Sequence, residues 1–143
     1  MVYQISVFME NRPGRLYDLT QALERANINL KAASIAETGD FGIIRCIVSD
    51  PDAAYDALTA EGFTVKKAHV VGVEVDDAPG SLSGIARALG ERGINILYLY
   101  AFSIACRNKA ILILKTDDIE RTKDVLATAL PHRIIGQEDI AAL

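Results

Sequence analysis

The feature that most constrains this chain is an internal repeat. The segment from Asn11 to Leu30 aligns without gaps on the segment from Asp77 to Ile96, at a constant offset of 66 residues, and seven of the twenty pairs are identical. Pro13 meets Pro79, Gly14 meets Gly80, Leu16 meets Leu82, Ala22 and Leu23 meet Ala88 and Leu89, and Ile28 and Asn29 meet Ile94 and Asn95. A fixed period of this length marks one supersecondary unit used twice. The repeat therefore predicts domains at 1–68 and 69–143. Each of about 70 residues is small for a stable core, so the two are expected to lean on each other.

Within each copy the hydrophobic period switches between strand and helix. Ile5, Val7 and Met9 alternate with Gln4, Ser6 and Glu10, as do Val71, Val73 and Val75 in the second copy; alternation is strand periodicity. Leu16, Leu19 and Leu23, like Leu82, Ile85 and Leu89, then recur at helical spacing. Pro13 and Pro79 suit a first helical turn. Strands are predicted over Ile28–Thr38, Phe41–Ser49 and Phe63–Ala68. Asp50 and Pro51 supply a cap and a first-position proline for a second helix closed by Gly62. The second copy continues with Ile94–Ala105, Ala110–Lys115, a helix over Ile119–Leu130 ended by Pro131, and a strand over Arg133–Glu138. The order βαββαβ defines a ferredoxin-like unit. The predicted fold class is α+β: two tandem ferredoxin-like domains, antiparallel sheets side by side, helices on one face.

Charge and composition narrow the function. Fifteen basic residues stand against nineteen acidic, a net charge of −4, with the basic residues scattered. This excludes the basic patch of a nucleic-acid binder, and Phe8 and Phe41 do not make the aromatic set of an RNA-binding sheet. Cys46 and Cys106 lie in apolar runs without metal-ligand spacing, so buried reduced thiols are expected and neither metal nor cofactor. His69 and His132 have no neighbouring nucleophile arrangement, and Arg12 and Arg15 are matched by Ala78 and Ser81, which argues against a repeated phosphate cradle. Enzymatic activity is not expected. The N-terminus alternates from the start and no apolar run approaches a membrane span, so a cytoplasmic location is expected.

The repeated motif, Asn/Asp-x-Pro-Gly-x-Leu between a strand and a helix, carries the binding chemistry. A helix N-terminus offers unpaired N–H groups and partial positive charge to a carboxylate. Gly14, Arg15 and Leu16, and Gly80, Ser81 and Leu82, supply those N–H groups, while Asn11 and Asp77 can accept from an ammonium group. Asn29 and Asn95 sit between large apolar residues at strand starts, where an amide needs partners.

The element order and the repeated motif, with Ile28, Asn29 and Leu30 matching Ile94, Asn95 and Ile96, resemble the ACT domain, an amino-acid-sensing module attached to biosynthetic enzymes. The resemblance covers essentially the whole chain and is closest to small stand-alone tandem ACT proteins. The stretch from Glu10 to Gly14 is similar to the serine-binding loop in the regulatory domain of phosphoglycerate dehydrogenase. It implies ligand contacts at Asn11 and Asn29 and, by the repeat, at Asp77 and Asn95. The loop residues Arg12, Pro13, Gly14, Arg15 and Leu16, with Pro79, Gly80, Ser81 and Leu82, complete the candidate site. Where that dehydrogenase has a histidine before the loop, this chain has Met9 and Val75, which points away from serine and admits a more apolar ligand. The expected function is that of a regulatory or sensor protein, made of two ACT domains, that binds a free amino acid, with a metabolic enzyme as a candidate partner. The alternative is an adaptor that binds no ligand and regulates a partner metabolic enzyme. The ligand is expected between units, one site joining the Asn11 loop to Asn95 and the other joining the Asp77 loop to Asn29. A homodimer or higher oligomer built on the sheet face away from the helices is also expected, because the strand Ile96–Phe102 is apolar at every position and its own helices cover one face. One face is read as Ile96, Tyr98, Tyr100 and Phe102, the other as Leu97, Leu99 and Ala101. The tail Ile140–Leu143 is the competing cover.

Overall fold

The computed structural model describes residues 1–104, 107–130 and 132–143; Cys106 and Pro131 lie outside the described residues. The elements run β1 (Val2–Glu10), α1 (Arg15–Arg25), β2 (Leu30–Thr38), β3 (Phe41–Val48), α2 (Pro51–Ala60), β4 (Thr64–Asp76), α3 (Ser81–Gly90), β5 (Ile96–Ile104), β6 (Lys109–Thr116), α4 (Ile119–Thr128), β7 (Arg133–Ile135) and α5 (Gln137–Ala142). They form two compact units. One comprises Tyr3–Ala68 with Gln137–Leu143, the other His69–Gly136 with Met1–Val2. Strand β4 closes the first unit and opens the second.

In the first unit the strand order is β2-β3-β1-β4. Ile5, Val7 and Met9 of β1 and Ile44, Cys46 and Val48 of β3 share a buried cluster with Leu19, Ala22 and Leu23 of α1 and Ala54 and Leu58 of α2. Alternate residues of a strand point to one face, so both helices cover the same side of this sheet. Burial pushes the Cys46 thiol up to about 12, as expected of a thiol in an apolar core. Asp50 caps α2, accepting from the N–H groups of Asp52 and Ala53 at 3.1 and 3.0 Å. The second unit repeats the plan with order β5-β6-β4 and β7 on the far side of β4. Val71, Val73, Val75, Leu112 and Leu114 pack there with Ile85, Leu89, Val125 and Leu126.

Several expectations are corrected. Pro13 and Pro79 precede the helices rather than occupying their first turn; the caps are Gly14 and Gly80, both left-handed, at φ 91° and 92°. The strand predicted to Glu138 stops at Ile135, and Gln137–Ala142 is a helix, with Glu138 and Asp139 in the first turn where the helix dipole favours acid. This helix belongs to the first unit. Gln137 Oε1 accepts from the Tyr3 N–H and its Nε2 donates to the Val48 carbonyl, both at 3.2 Å, and Ile140 is fully buried. The tail is therefore not the cover of strand 96–102.

The assignment of faces in β5 also changes. Leu99 and Ala101 lie opposite Leu114 and Leu112, while Tyr98, Tyr100 and Phe102 lie opposite Lys115, Ile113 and Ile111. Directly opposed residues share a face, so Leu99 and Ala101 are on the helix side and the aromatics on the other. Ile96 opposes Thr116, whose hydroxyl bonds Thr122 of α4, so Ile96 is on the helix side and parts from the tyrosines. A register shift between Ile96 and Tyr98 causes the switch, and β2 carries the same irregularity between Leu30 and Ala32.

Candidate functional site

Each repeat builds the same loop between its first strand and first helix, with the same backbone bonds. The Asn11 N–H donates to the Asp40 carbonyl at 2.8 Å, and the Asp77 N–H to the Asn108 carbonyl at 3.0 Å. The Arg12 and Ala78 N–H groups fold back onto the carbonyls of Glu10 and Asp76 at 3.0 and 2.9 Å. Those of Arg15 and Ser81 reach Arg12 and Ala78 only at 3.4 and 3.3 Å. Neither α1 nor α3 has a side-chain cap bond, whereas Asp50 and Asp118 cap α2 and α4. The helix ends next to the repeated motif are thus the uncapped ones. Leu16 and Leu82 are each 43% exposed beside their loops.

The side chains divide the two loops. The Asn11 amide donates to the Gly39 carbonyl at 2.9 Å and to Glu37 at 3.4 Å, leaving its Oδ1 as an acceptor. Glu10 pairs with Arg12 at 2.7 Å, and that bond and charge hold its carboxyl below the ordinary carboxylate range. Arg15 pairs with Asp18 at 3.1 Å and lies over the Phe63 ring, 4.4 Å from its centroid. In the second loop Asp76 pairs instead with Lys109, which lowers its carboxyl in the same sense.

Asn29 and Asn95 occupy equivalent places but do not meet the loop of their own unit. Asn29 precedes β2, and the Asn11 loop is tied to the hairpin at the other end of that strand. Nine residues of β2 separate them, about 30 Å at ~3.3 Å per residue. A ligand touching both kinds of residue must draw them from two copies of the fold. The buried-amide expectation is also corrected: both asparagines are exposed. Their backbones perform the local work. The Asn29 N–H donates to Ser49 Oγ at 3.1 Å and the Asn95 N–H to Asp117 Oδ1 at 3.1 Å, while their carbonyls accept from Ser49 and Asp117. Asn29 lines a cavity of about 320 Å³ with Thr20, Glu24 and Asn27.

A second cavity, of about 280 Å³, lies in the first unit and includes Phe8, Glu10, Arg15, Phe41 and Phe63. Of these the sequence singled out only Arg15 as a site residue. Phe8 alternates with Ser6 and Glu10 on the polar face of β1, and that placement was the available signal. Among the described residues there is no cluster of three metal-ligating side chains, and no helix is long and apolar enough to cross a membrane.

Two tandem ferredoxin-like units, each with a Pro-Gly loop before its first helix, make up the fold. The chain belongs to the ACT domain pair family, which it matches over residues 1–143. A solved protein from Bacteroides thetaiotaomicron is similar at 37% identity and a TM-score of 0.92, over 99% of this chain and 96% of that one. The ligand-free regulatory subunit of aspartate kinase from Thermus thermophilus shares the fold at 17% identity and a TM-score of 0.65, over 90% and 93% of the chains. Aspartokinase alpha and beta subunits do so at 21% and 0.63, over 90% and 92%. No curated protein matches. The pair accounts for the whole chain and leaves no catalytic domain within it.

Proposed function

We propose that this chain is a non-catalytic regulatory protein that binds a free amino acid at its repeated loops. The observation that carries the reading is the contrast between helix ends. Two are capped by aspartate side chains, and the two beside Asn11 and Asp77 have only a left-handed glycine. A ligand carboxylate completes what the chain leaves open there. Its ammonium group meets Oδ1 of Asn11 or the carboxylate of Asp77, and the formal charge of Asp77 makes the second loop the stronger cation site. Exposed Leu16 and Leu82 offer contact to an apolar side chain. The fold shared with a regulatory subunit of aspartate kinase supports a partner metabolic enzyme as the target of regulation.

Thermal unfolding measured against each of the twenty amino acids tests this. A true ligand at hundredfold excess over its dissociation constant stabilises the native state by about 2.7 kcal/mol. The expected result is a rise in melting temperature for a small subset, reduced by Asn11→Ala and Asp77→Ala. If no amino acid moves the melting temperature, the reading fails and the ligand-free adaptor stands in its place.

A further inference from the structure

The cavity of about 280 Å³ in the first unit combines three features, of which the second unit lacks the first two. One wall is aromatic and open: Phe8 and Phe41 stack with centroids 5.2 Å apart and planes at 21°, yet are 46% and 45% exposed. A pair of phenyl rings held half in water on the otherwise polar face of β1 gives a flat ligand a surface to stack on. Arg15 also lines the cavity. Its side chain is only 20% exposed, and its Nε–H is buried with no hydrogen-bond acceptor among the described residues. Oε2 of Glu10 stands 3.9 Å from it, beyond hydrogen-bond range. A buried donor left unpaired is costly to the fold and an anion relieves it. The third feature is the Glu10 carboxylate, exposed on the same rim and kept ionised by Arg12. In the second repeat Glu74, Ser81 and Lys109 stand where Phe8, Arg15 and Phe41 stand here.

We propose that this cavity is a binding site for a free aromatic amino acid, confined to the first unit. The ring stacks on Phe8 and Phe41, the carboxylate pairs with the Arg15 guanidinium, and the ammonium group pairs with Glu10. The site is separate from the loop site, because it uses the Arg15 and Glu10 side chains rather than the helix N–H groups and Asn11. Its volume is at the small end for a ligand pocket, which suits one phenyl ring and a short zwitterionic head.

The test is a titration of the nitrogen-15-labelled full chain with L-phenylalanine, followed by NMR at the Arg15 Nε–H and at the Phe41, Phe63 and Thr64 amides. L-Leucine, apolar but without a ring, serves as a probe of the loops alone. L-Phenylalanine should move these resonances, and L-leucine should not. 3-Phenylpropionate and 2-phenylethylamine, each lacking one charge, should bind roughly tenfold more weakly, the loss of about one charge-assisted hydrogen bond. Arg15→Gln should weaken phenylalanine binding by a similar factor, and Phe41→Leu, at an exposed position that leaves the core intact, by about fivefold. Phenylalanine shifts confined to the backbone amides of residues 11–16 and 77–82, no shift at all, or full affinity in the Phe41→Leu variant would each overturn the proposal. Shifts at the cavity with no response of the loops to any amino acid would sustain it while the loop reading fell.

Discussion

Gly14 and Gly80 hold the two loops in shape at φ 91° and 92°, with nothing within 4 Å of where a Cβ would stand. Any penalty for alanine there is therefore backbone strain alone, not a clash. Left-handed backbone disfavours a residue with a Cβ by about 1 kcal/mol. Gly14→Ala and Gly80→Ala should each lower stability by that amount, about 3 °C in melting temperature for a chain of this size. Thermal denaturation followed by circular dichroism would show it, and a variant melting with the wild type would contradict the strain argument. The asparagines teach the opposite lesson. Asn29 and Asn95 were legible as special because each follows a buried isoleucine at a strand start. The repeat could not reveal that their backbones satisfy the local turn while their amides stand in solvent.

At the scale of elements, every strand and helix of the βαββαβ plan was legible, because the offset of 66 lets each copy check the other. The limits came from breaks in periodicity. The bulges at Leu30/Ala32 and Ile96/Tyr98 reverse the in-out pattern without a glycine or proline to announce them. The connection after β5 is two residues longer than that after β2, since 105–108 replaces 39–40, which explains why Ser49 and Asp117 match at an offset of 68. Helix α5 was hidden because nothing in the first copy corresponds to it. It nonetheless ties both ends of its amide side chain into the first unit through Tyr3 and Val48. Removing residues 137–143 withdraws a buried isoleucine and two hydrogen bonds. At about 2 kcal/mol for the side chain and ~0.5 kcal/mol or more for each bond, the truncated chain should lose about 3 kcal/mol. Urea denaturation with a midpoint equal to that of the full chain would show that α5 is dispensable.

At the scale of the whole molecule, the same bulge bears on self-association. β5 pairs with β6 and ends the strand order of its sheet among the described residues, so its far side is a sheet edge. Natural edge strands are usually shielded by charge, proline or brevity. This one is nine residues long, and between Ile96 and Ile104 it has no charge and no proline. Leu97 and Leu99 are 54% and 38% exposed along it. The equivalent strand β2 begins Leu30, Lys31, Ala32, Ala33, Ser34, which is smaller and more polar and presents less apolar surface to a partner. An apolar, unshielded edge is satisfied by a second copy of the same edge, related by a two-fold axis. The chain should therefore be a homodimer or larger assembly whose contact centres on β5. Light scattering at micromolar concentration should give at least twice 15.5 kDa. Leu97→Lys with Leu99→Asp places charge at two exposed positions of the edge strand, and should return the mass to that of one chain with the circular dichroism spectrum unchanged. A wild-type mass near 15.5 kDa would refute the dimer outright. A doubly substituted chain that stays dimeric would move the contact away from β5.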